Sequence, residues 1–338
     1  MQKSSTVDVS VLLSLLEGAK AKGYDTVGIA ANHGVAPQLL LQPRARITFK
    51  QFAHVSLAVM ELLNDEHYGL LPKPQSRNAF KHLGRSLIHA HTIGDALRVL
   101  VEFSTILDNG LEYQLQQRGK KVKLQLSVAS GEGMVNSHGL EHVLISVHRT
   151  LCWMADVRIP IRSVSLAYPA PEYAAEYRYF FYGAPTIFDS ATTFLEFDST
   201  IEQLPNVKNL EQLRRFLRDS PLTLISQTVA NNTLSEQVRS WQHQHLINHN
   251  SAATIELAAD HFTRHPQSLR RALRKEGVTY EELKVEVRRD LGISRLNTSS
   301  DTVEAISTQL GFSEPSAFIR AFKGWTGMTP KAYRKILR

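Results

Sequence analysis

Apolar residues along the chain change their period several times, and each change marks an element. In VSVLLSLLEGAKAKG, Val11, Leu12, Leu15 and Leu16 recur at helical spacing, with Gly23 placed to stop the helix. ITFKQFAHVSLAVMELLND repeats the pattern through Phe52, Val55, Val59, Leu62 and Leu63, so the first ~85 residues read as helices. Thr92 to Asp95 spell a capping box that opens the helix DALRVLVEFSTIL. In KVKLQLSV the period becomes two: Val122, Leu124, Leu126 and Val128 share one face and predict a half-buried strand. A loop at SGEG precedes GLEHVLISVHRTLCWMADV, which returns to helical spacing, and SVSLAYP and TFLEFD read as further short strands. Together these elements predict an α+β domain over residues 1–205.

Residues 206–250 are polar and helical in tendency, with few large apolar residues after Trp241, and read as a connector. Residues 251–338 contain an internal repeat. IELAADHFTRHPQSLRRALRKEG and VEAISTQLGFSEPSAFIRAFKGWTG each pair a short amphipathic helix with a second, Arg-rich one across a turn, which predicts an all-α domain with two helix-turn-helix motifs. In the first pair Ile255, Ala259, Phe262, Leu269 and Leu273 face inward and Pro266 begins the second helix. Gln267, Arg270, Arg271 and Arg274 are then left for the outside. In the second pair Gly311 supplies the positive φ that ends one helix, Phe312 packs the turn, Ser313 caps the next helix and Pro315 sits in its first turn. Phe318 and Phe322 face inward, while Ser316, Arg320 and Lys323 fall on another face. YEELKVEVRRDLGISRL between the pairs predicts a long helix that sets their separation.

Charge sharpens this division. Residues 251–338 hold 15 Lys and Arg against 10 Asp and Glu, a net of +5, whereas the remaining 250 residues hold 24 against 22, a net of +2. Positive charge thus gathers where a polyanion would be bound, and an Arg on a helix that fits the major groove suits bidentate bonding to guanine. Double-stranded DNA is the partner so predicted. At 338 residues and 43% hydrophobic content the chain suffices for two cores. No apolar run reaches a membrane-spanning length, and MQKSSTVDVS lacks a signal peptide's pattern, so a cytoplasmic protein without membrane attachment is expected. The single Cys152 excludes an internal disulfide framework and reads as a small core residue rather than a thiol sensor.

Candidate chemistry elsewhere is sparse. Tyr173, Tyr177, Tyr179 and Tyr182, with Phe180 and Phe181, form the best candidate lining for a ligand pocket, the alternative being core or interface. His245 and His249 stand at a spacing that could grip a metal, with His243 beside them, but no carboxylate or Cys accompanies them and no metal is expected. His89 and His91 read as turn residues. No nucleophile elbow and no phosphate-binding glycine loop occurs, so neither enzyme chemistry nor a cofactor is predicted.

LGFSEPSAFIRAFKGWTGMTPKAYR closely resembles the C-terminal signature of the AraC-family transcription regulators, and the likeness extends back to about residue 250. Two positions depart from the family's pattern: His265 stands where it usually caps with Ser, and Gly292 where its central helix usually has Ala. HLGRSLIHAHTIGDALRVLVEFSTIL and YPAPEYAAEYRYFFYGAPTIFDSATTFLEFD resemble the effector domain of the ornithine-utilisation regulator subgroup. The resemblance implies a sequence-specific activator controlled by a small-molecule effector, with RNA polymerase as a further partner. Its helices and connector are expected to support a homodimer.

Two rival readings differ in class. One makes the N-terminal domain respond to a protein partner, which a flat apolar patch in place of a closed, tyrosine-lined cavity would favour. The other is a DNA-targeted alkyl-acceptor enzyme, for which Cys152 lacks the cationic surroundings that activate a nucleophile.

Overall fold

The computed structural model describes residues 6–42, 45–129, 136–219 and 233–337; the SGEG loop and 220–232 of the connector lie outside these. Strand β1 (Thr6–Asp8) leads into helix α1 (Val9–Ala21), in which Leu12 and Leu15 are fully buried. Short helices α2 (Thr26–Asn32) and α3 (Pro37–Leu40) precede β2 (Arg46–Thr48). β1 and β2 pair antiparallel, Val7 opposite Ile47. The apolar period predicts helices alone here, because a three-residue strand is too short to show an alternation. Helix α4 (Phe49–Leu63) then buries Phe52, Val55 and Val59.

After α5 (Ala79–Leu87), the predicted capping box opens α6 (Ile93–Ser104): Thr92 Oγ1 accepts from the Asp95 N–H at 3.1 Å and Asp95 Oδ2 from the Thr92 N–H at 3.1 Å. A five-stranded sheet follows, built from β3 (Leu111–Arg118), β4 (Lys121–Val128), β5 (Ile161–Ser165), β6 (Thr186–Ile187) and β7 (Thr193–Asp198). Its order is β3-β4-β7-β5-β6, and β5–β6 is its parallel pair. Val122, Leu124 and Leu126 line the buried face as their alternation predicts, with Leu195 opposite Leu124 and Phe197 opposite Val122, whereas Val128 at the strand's end is exposed, beyond the reach of β7. Helix α7 (Ser137–Ala155) runs between β4 and β5, and α8 (Tyr177–Phe180) between β5 and β6. Trp153 of α7 stacks on Phe216 of α9 (Leu210–Asp219), ring centroids 4.4 Å apart.

Seven helices complete the described chain: α10 (Leu234–His249), α11 (Ile255–His261), α12 (Pro266–Lys275), α13 (Tyr280–Thr298), α14 (Val303–Gln309), α15 (Pro315–Thr326) and α16 (Pro330–Leu337). The two helix pairs, α11–α12 and α14–α15, flank the long α13. Among the described residues no helix is long and apolar enough to cross a membrane.

Contacts divide the described residues into two units that do not follow the chain linearly. One gathers Met1–Val9, Ala30–Phe52 and Asn231–Arg338; the other gathers Ser10–Ile29 and Ala53–Ala230. The β1–β2 ribbon and α10 therefore belong with the paired helices. Val238 of α10 is fully buried in one cluster with Ile255, Ala259, Leu269 and Leu273, and Trp241 packs against it. Tyr333 of α16 is fully buried and donates to the Arg46 carbonyl of β2 at 2.9 Å.

Candidate nucleic-acid interface and effector cavity

Helix α12 is fixed from beneath and free above. Thr254 caps α11 and His265 caps α12, its Nδ1 accepting from the Gln267 N–H at 3.3 Å, so the imidazole does the work expected of a serine. Leu269 and Leu273 are fully buried. Gln267, Arg271 and Arg274 are exposed on the opposite side. Arg270 is half-buried, with its guanidinium 3.8 Å from Glu256 of α11. The turn of this pair puts Thr263 at φ +51°, where the second pair has Gly311 at φ +70°.

Helix α15 repeats the plan with larger anchors. Phe318 and Phe322 have no exposed surface, and Ser316, Arg320 and Lys323 are all exposed. The expected Ser313 cap is not made: the N-cap residue is Glu314, whose carboxylate accepts from the Ser316 hydroxyl at 3.1 Å but makes no cap bond to a helix N–H. Proline's missing N–H at the first position leaves one donor fewer to cap. The turn is tied instead by the Ser307 hydroxyl, which donates to the Glu314 carbonyl at 3.4 Å.

Three contacts hold the modules of this unit together. Arg288 of α13 donates to the Leu310 carbonyl at 3.1 Å and to the Gly311 carbonyl at 2.8 Å, and its guanidinium lies 4.5 Å from the Phe312 ring centre. A Cβ on Gly311 would come within 2.9 Å of backbone atoms of Ser251 and Ala252, so the glycine serves a close approach as well as its φ. Gly292 of α13 faces the second pair, where a Cβ would meet Leu310 at 3.3 Å and Phe318 at 3.6 Å; the departure from alanine lets these elements close up.

Beneath them lies a buried charged cluster around Asp290. Its carboxylate accepts from Thr6 Oγ1 at 2.6 Å and from Arg239 of α10 at 2.6 Å, with Arg289 at 3.2 Å. Arg46 donates to Thr6 Oγ1 and to the Thr6 carbonyl, both at 2.9 Å. Burial by itself would raise the Asp290 carboxyl. The surrounding guanidiniums and the Thr6 bond outweigh it and hold the carboxyl below its ordinary value.

The other unit encloses a cavity of about 470 Å³. Helix α5 presents Phe80, Leu83 and Leu87 to it, one face at helical spacing. Two adjacent rows of α7 form a second wall: Val143, Val147 and Leu151, and beside them His142, Ser146 and Thr150. Leu57 and Met60 of α4, Leu100 of α6, Leu217 of α9 and Leu107 complete the apolar lining. The segment between α4 and α5 closes one end with Glu66, His67 and Gln75. Asp65 braces it, accepting from the backbone N–H groups of His67, Gly69 and Gln75 at 2.8–2.9 Å. Asn64, Tyr68 and Asn78 here adopt positive φ, a conformation such side chains take only where surrounding contacts impose it.

Polar groups at this end are mutually engaged. His67 Nδ1 lies 3.0 Å from His142 Nδ1, and the Tyr68 hydroxyl 3.3 Å from His142 Nε2. Glu66 accepts from the Gln75 amide and the Phe80 N–H, each at 2.9 Å. Loss of water pulls His67 down to about 4 and His142 well below its ordinary value, and pushes the Glu66 carboxyl up. Sequence inspection did not single out this lining, although the 80/83/87 and 143/147/151 spacings were visible in it.

The tyrosines proposed as a pocket lining do not border this cavity, whose one tyrosine is Tyr113. Tyr173 and Tyr177 are buried, and their hydroxyls, with that of Tyr168, converge on the fully buried Glu141. Tyr179 receives a bond from Arg178 at 2.8 Å, and the Arg158 guanidinium lies 3.9 Å from the Tyr182 ring centre. Cys152 is buried 3.5 Å from His148 Nε2, and burial pushes its thiol up to about 11, the setting of an unreactive core residue. His245 lies between Trp241 and His249 in tilted ring contacts, centroids 5.3 and 4.5 Å away. His89 and His91 are exposed in the turn between α5 and α6.

Residues 23–206 match the family described as "Arabinose-binding domain of AraC transcription regulator, N-term", and residues 258–336 match "Helix-turn-helix domain". The ornithine utilization regulator of Pseudomonas aeruginosa is 24% identical over 331 residues, covering 97% of this chain and 96% of that protein. The urease operon transcriptional activator of Escherichia coli is 36% identical over 69 residues, 20% of this chain and 23% of that protein. Among solved structures, the transcriptional regulator CdpR from Pseudomonas aeruginosa aligns over 83% of this chain and 87% of its own at 17% identity, with a TM-score of 0.32. With the first match alone covering more than half of its residues and the helix-turn-helix match following it, the chain belongs to the AraC family and is a sequence-specific DNA-binding transcription regulator.

Proposed function

We propose that this regulator is an activator whose N-terminal part, residues 1–205, responds to a small molecule, with 206–250 as connector and 251–338 as the DNA-reading part. The observation that carries the DNA half is the pairing of buried anchors with an outward polar row on each recognition helix. Leu269 and Leu273 leave Gln267, Arg271 and Arg274 outward, and Phe318 and Phe322 leave Ser316, Arg320 and Lys323 outward. These six residues are our candidate DNA contacts, with Arg270 as a seventh that must first leave Glu256.

The 470 Å³ cavity supports a small-molecule effector over a protein signal, since it lies within the limits of small-ligand sites and is largely apolar with a few convergent polar groups. Tyr173 and Tyr177, committed to Glu141, stand behind that site as packing in this reading. Activation implies contact with RNA polymerase, work in the cytoplasm and, as for most soluble oligomers, a symmetric homodimer. The decisive experiment selects a preferred duplex from a random pool with the full chain. Footprints are then compared for wild type and for Arg271→Ala combined with Arg320→Ala. Two protected major-groove segments that vanish together in the variant are the expected result; an unchanged footprint would overturn the assignment of the recognition helices.

A further inference from the structure

We infer that the cavity takes an uncharged amphiphile, a molecule with a mainly apolar body and a single hydrogen-bonding head. This rests on the reading of the cavity as the effector site, and it goes further by excluding both a sugar and a charged amino acid. The geometry is one-sided. Glu66, His67, Gln75 and His142 gather at the end nearest the start of α5, while Leu83, Leu87, Leu100, Val147, Leu151 and Leu217 dominate the remainder, where Ser146 and Thr150 add hydroxyls and that of Thr150 already donates to the Ser146 carbonyl at 2.7 Å. A sugar carries hydroxyls around its whole ring, and those facing the leucines would be buried without partners, which weakens binding with each one. A diamino acid carries charge at both ends, and the leucine-lined part offers no charged partner to the second.

The character of the polar end decides the head. Glu66 and the two imidazoles respond to the same loss of water in opposite directions, the carboxyl shifted up and the imidazoles down, so each moves toward its neutral form. Surroundings that disfavour both signs of charge on their own side chains disfavour them equally on a ligand. Charged groups do occur at the rim: Glu61 pairs with Arg77 at 3.5 Å, and both these side chains and Lys81 are exposed to solvent. They can greet a ligand but do not solvate a charge inside. The His67–His142 pair can exchange its mutual bond for one to the ligand, donating or accepting according to tautomer, which suits a hydroxyl, ester or amide head.

The test uses the full chain and five probes at pH 7.5: 1-octanol, octanoate, octylammonium, L-arabinose and L-ornithine, each followed by titration calorimetry and thermal shift. We expect 1-octanol to bind, octanoate and octylammonium to bind at least about tenfold more weakly, and the sugar and the amino acid not to bind. Val147→Trp, and separately Leu217→Trp from the facing wall, fill the cavity and should abolish 1-octanol binding; unchanged circular dichroism identifies which variant retains its fold. Octanoate or octylammonium matching 1-octanol, or no 1-octanol binding at all, overturns the uncharged-head inference. If arabinose or ornithine binds instead and a folded filled variant loses it, the cavity remains the effector site and only the ligand class is wrong. Undiminished 1-octanol binding in a folded filled variant overturns the cavity as the site.

Discussion

The guanidinium of Arg288 sits 4.5 Å from the centre of the Phe312 ring while it donates to the Leu310 and Gly311 carbonyls. One side chain of the central helix thus satisfies two carbonyls of the turn that follows α14 and clamps the turn that aims α15. Arg288→Ala is expected to destabilise the helical unit by about 2–3 kcal/mol. Arg288→Lys should recover less than half, because an ammonium cannot span both carbonyls in one plane. Urea denaturation of the three proteins measures both; equal stability of wild type and the Ala variant would remove the clamp from the account.

The two turns predict opposite responses to glycine. Thr263 holds φ +51°, which strains a β-branched residue, so Thr263→Gly should stabilise the chain by up to about 1 kcal/mol. Gly311→Ala meets both a positive φ and the backbone of Ser251 and Ala252, and should cost more than about 1 kcal/mol. Melting temperatures moving in the same direction in both variants would contradict the assignment of strain.

Base reading and phosphate positioning separate at Arg320 and Lys335. Arg320 is exposed on a helix anchored by Phe318 and Phe322, so Arg320→Ala should leave folding intact and cost about 1–3 kcal/mol on the preferred duplex, with little loss on scrambled DNA. Lys335→Ala, outside either recognition helix, should weaken all duplexes alike and lower the salt slope. Titrations at fixed salt compare them, and equal losses for Arg320→Ala on both duplexes would make it a phosphate contact.

Asp290 gives the helical unit a signature in acid. Its folded carboxyl lies below 3.8, so its contribution is present above the unfolded value and disappears as pH falls through the lower, folded one. Asp290→Asn should cost about 3 kcal/mol at neutral pH, because the buried Arg46 and the half-buried Arg239 are left without their anion. The gap to wild type should close below the folded value. A gap independent of pH would show that the loss is one of shape and not of charge.

His67 acts in a higher window. The unfolded imidazole takes up a proton below about 6.5, whereas the folded one resists until about 4, so stability falls as pH drops between these values, by up to about 1.4 kcal/mol per pH unit. His142 and His148, also held below their ordinary values by burial, add slopes of the same sign, so His67→Gln should lessen the slope across the window without abolishing it, and parallel curves for variant and wild type would refute the assignment.

Much of this protein was legible in its order of residues. Alternation in KVKLQLSV marked the face that meets Leu195 and Phe197, TIGD marked the start of α6, and the positions of Phe318 and Phe322 left Arg320 outward, because period and capping are local properties. What tertiary structure alone decided are the meetings of distant residues. Thr6, Arg46, Arg239 and Asp290 share one buried cluster although nothing in their neighbourhoods announces it, since a three-residue strand has no period and a buried ion pair has no local pattern. The tyrosines of YPAPEYAAEYRYFFYG invited a pocket, yet a single carboxylate on α7, Glu141, gathers the hydroxyls of Tyr168, Tyr173 and Tyr177. The cavity instead formed where ordinary apolar faces of α5 and α7, each no different in sequence from a core-facing stripe, stand too far apart to fill the space between them. Hydrophobic pattern determines which side of an element turns inward, and only packing determines whether the inside is full.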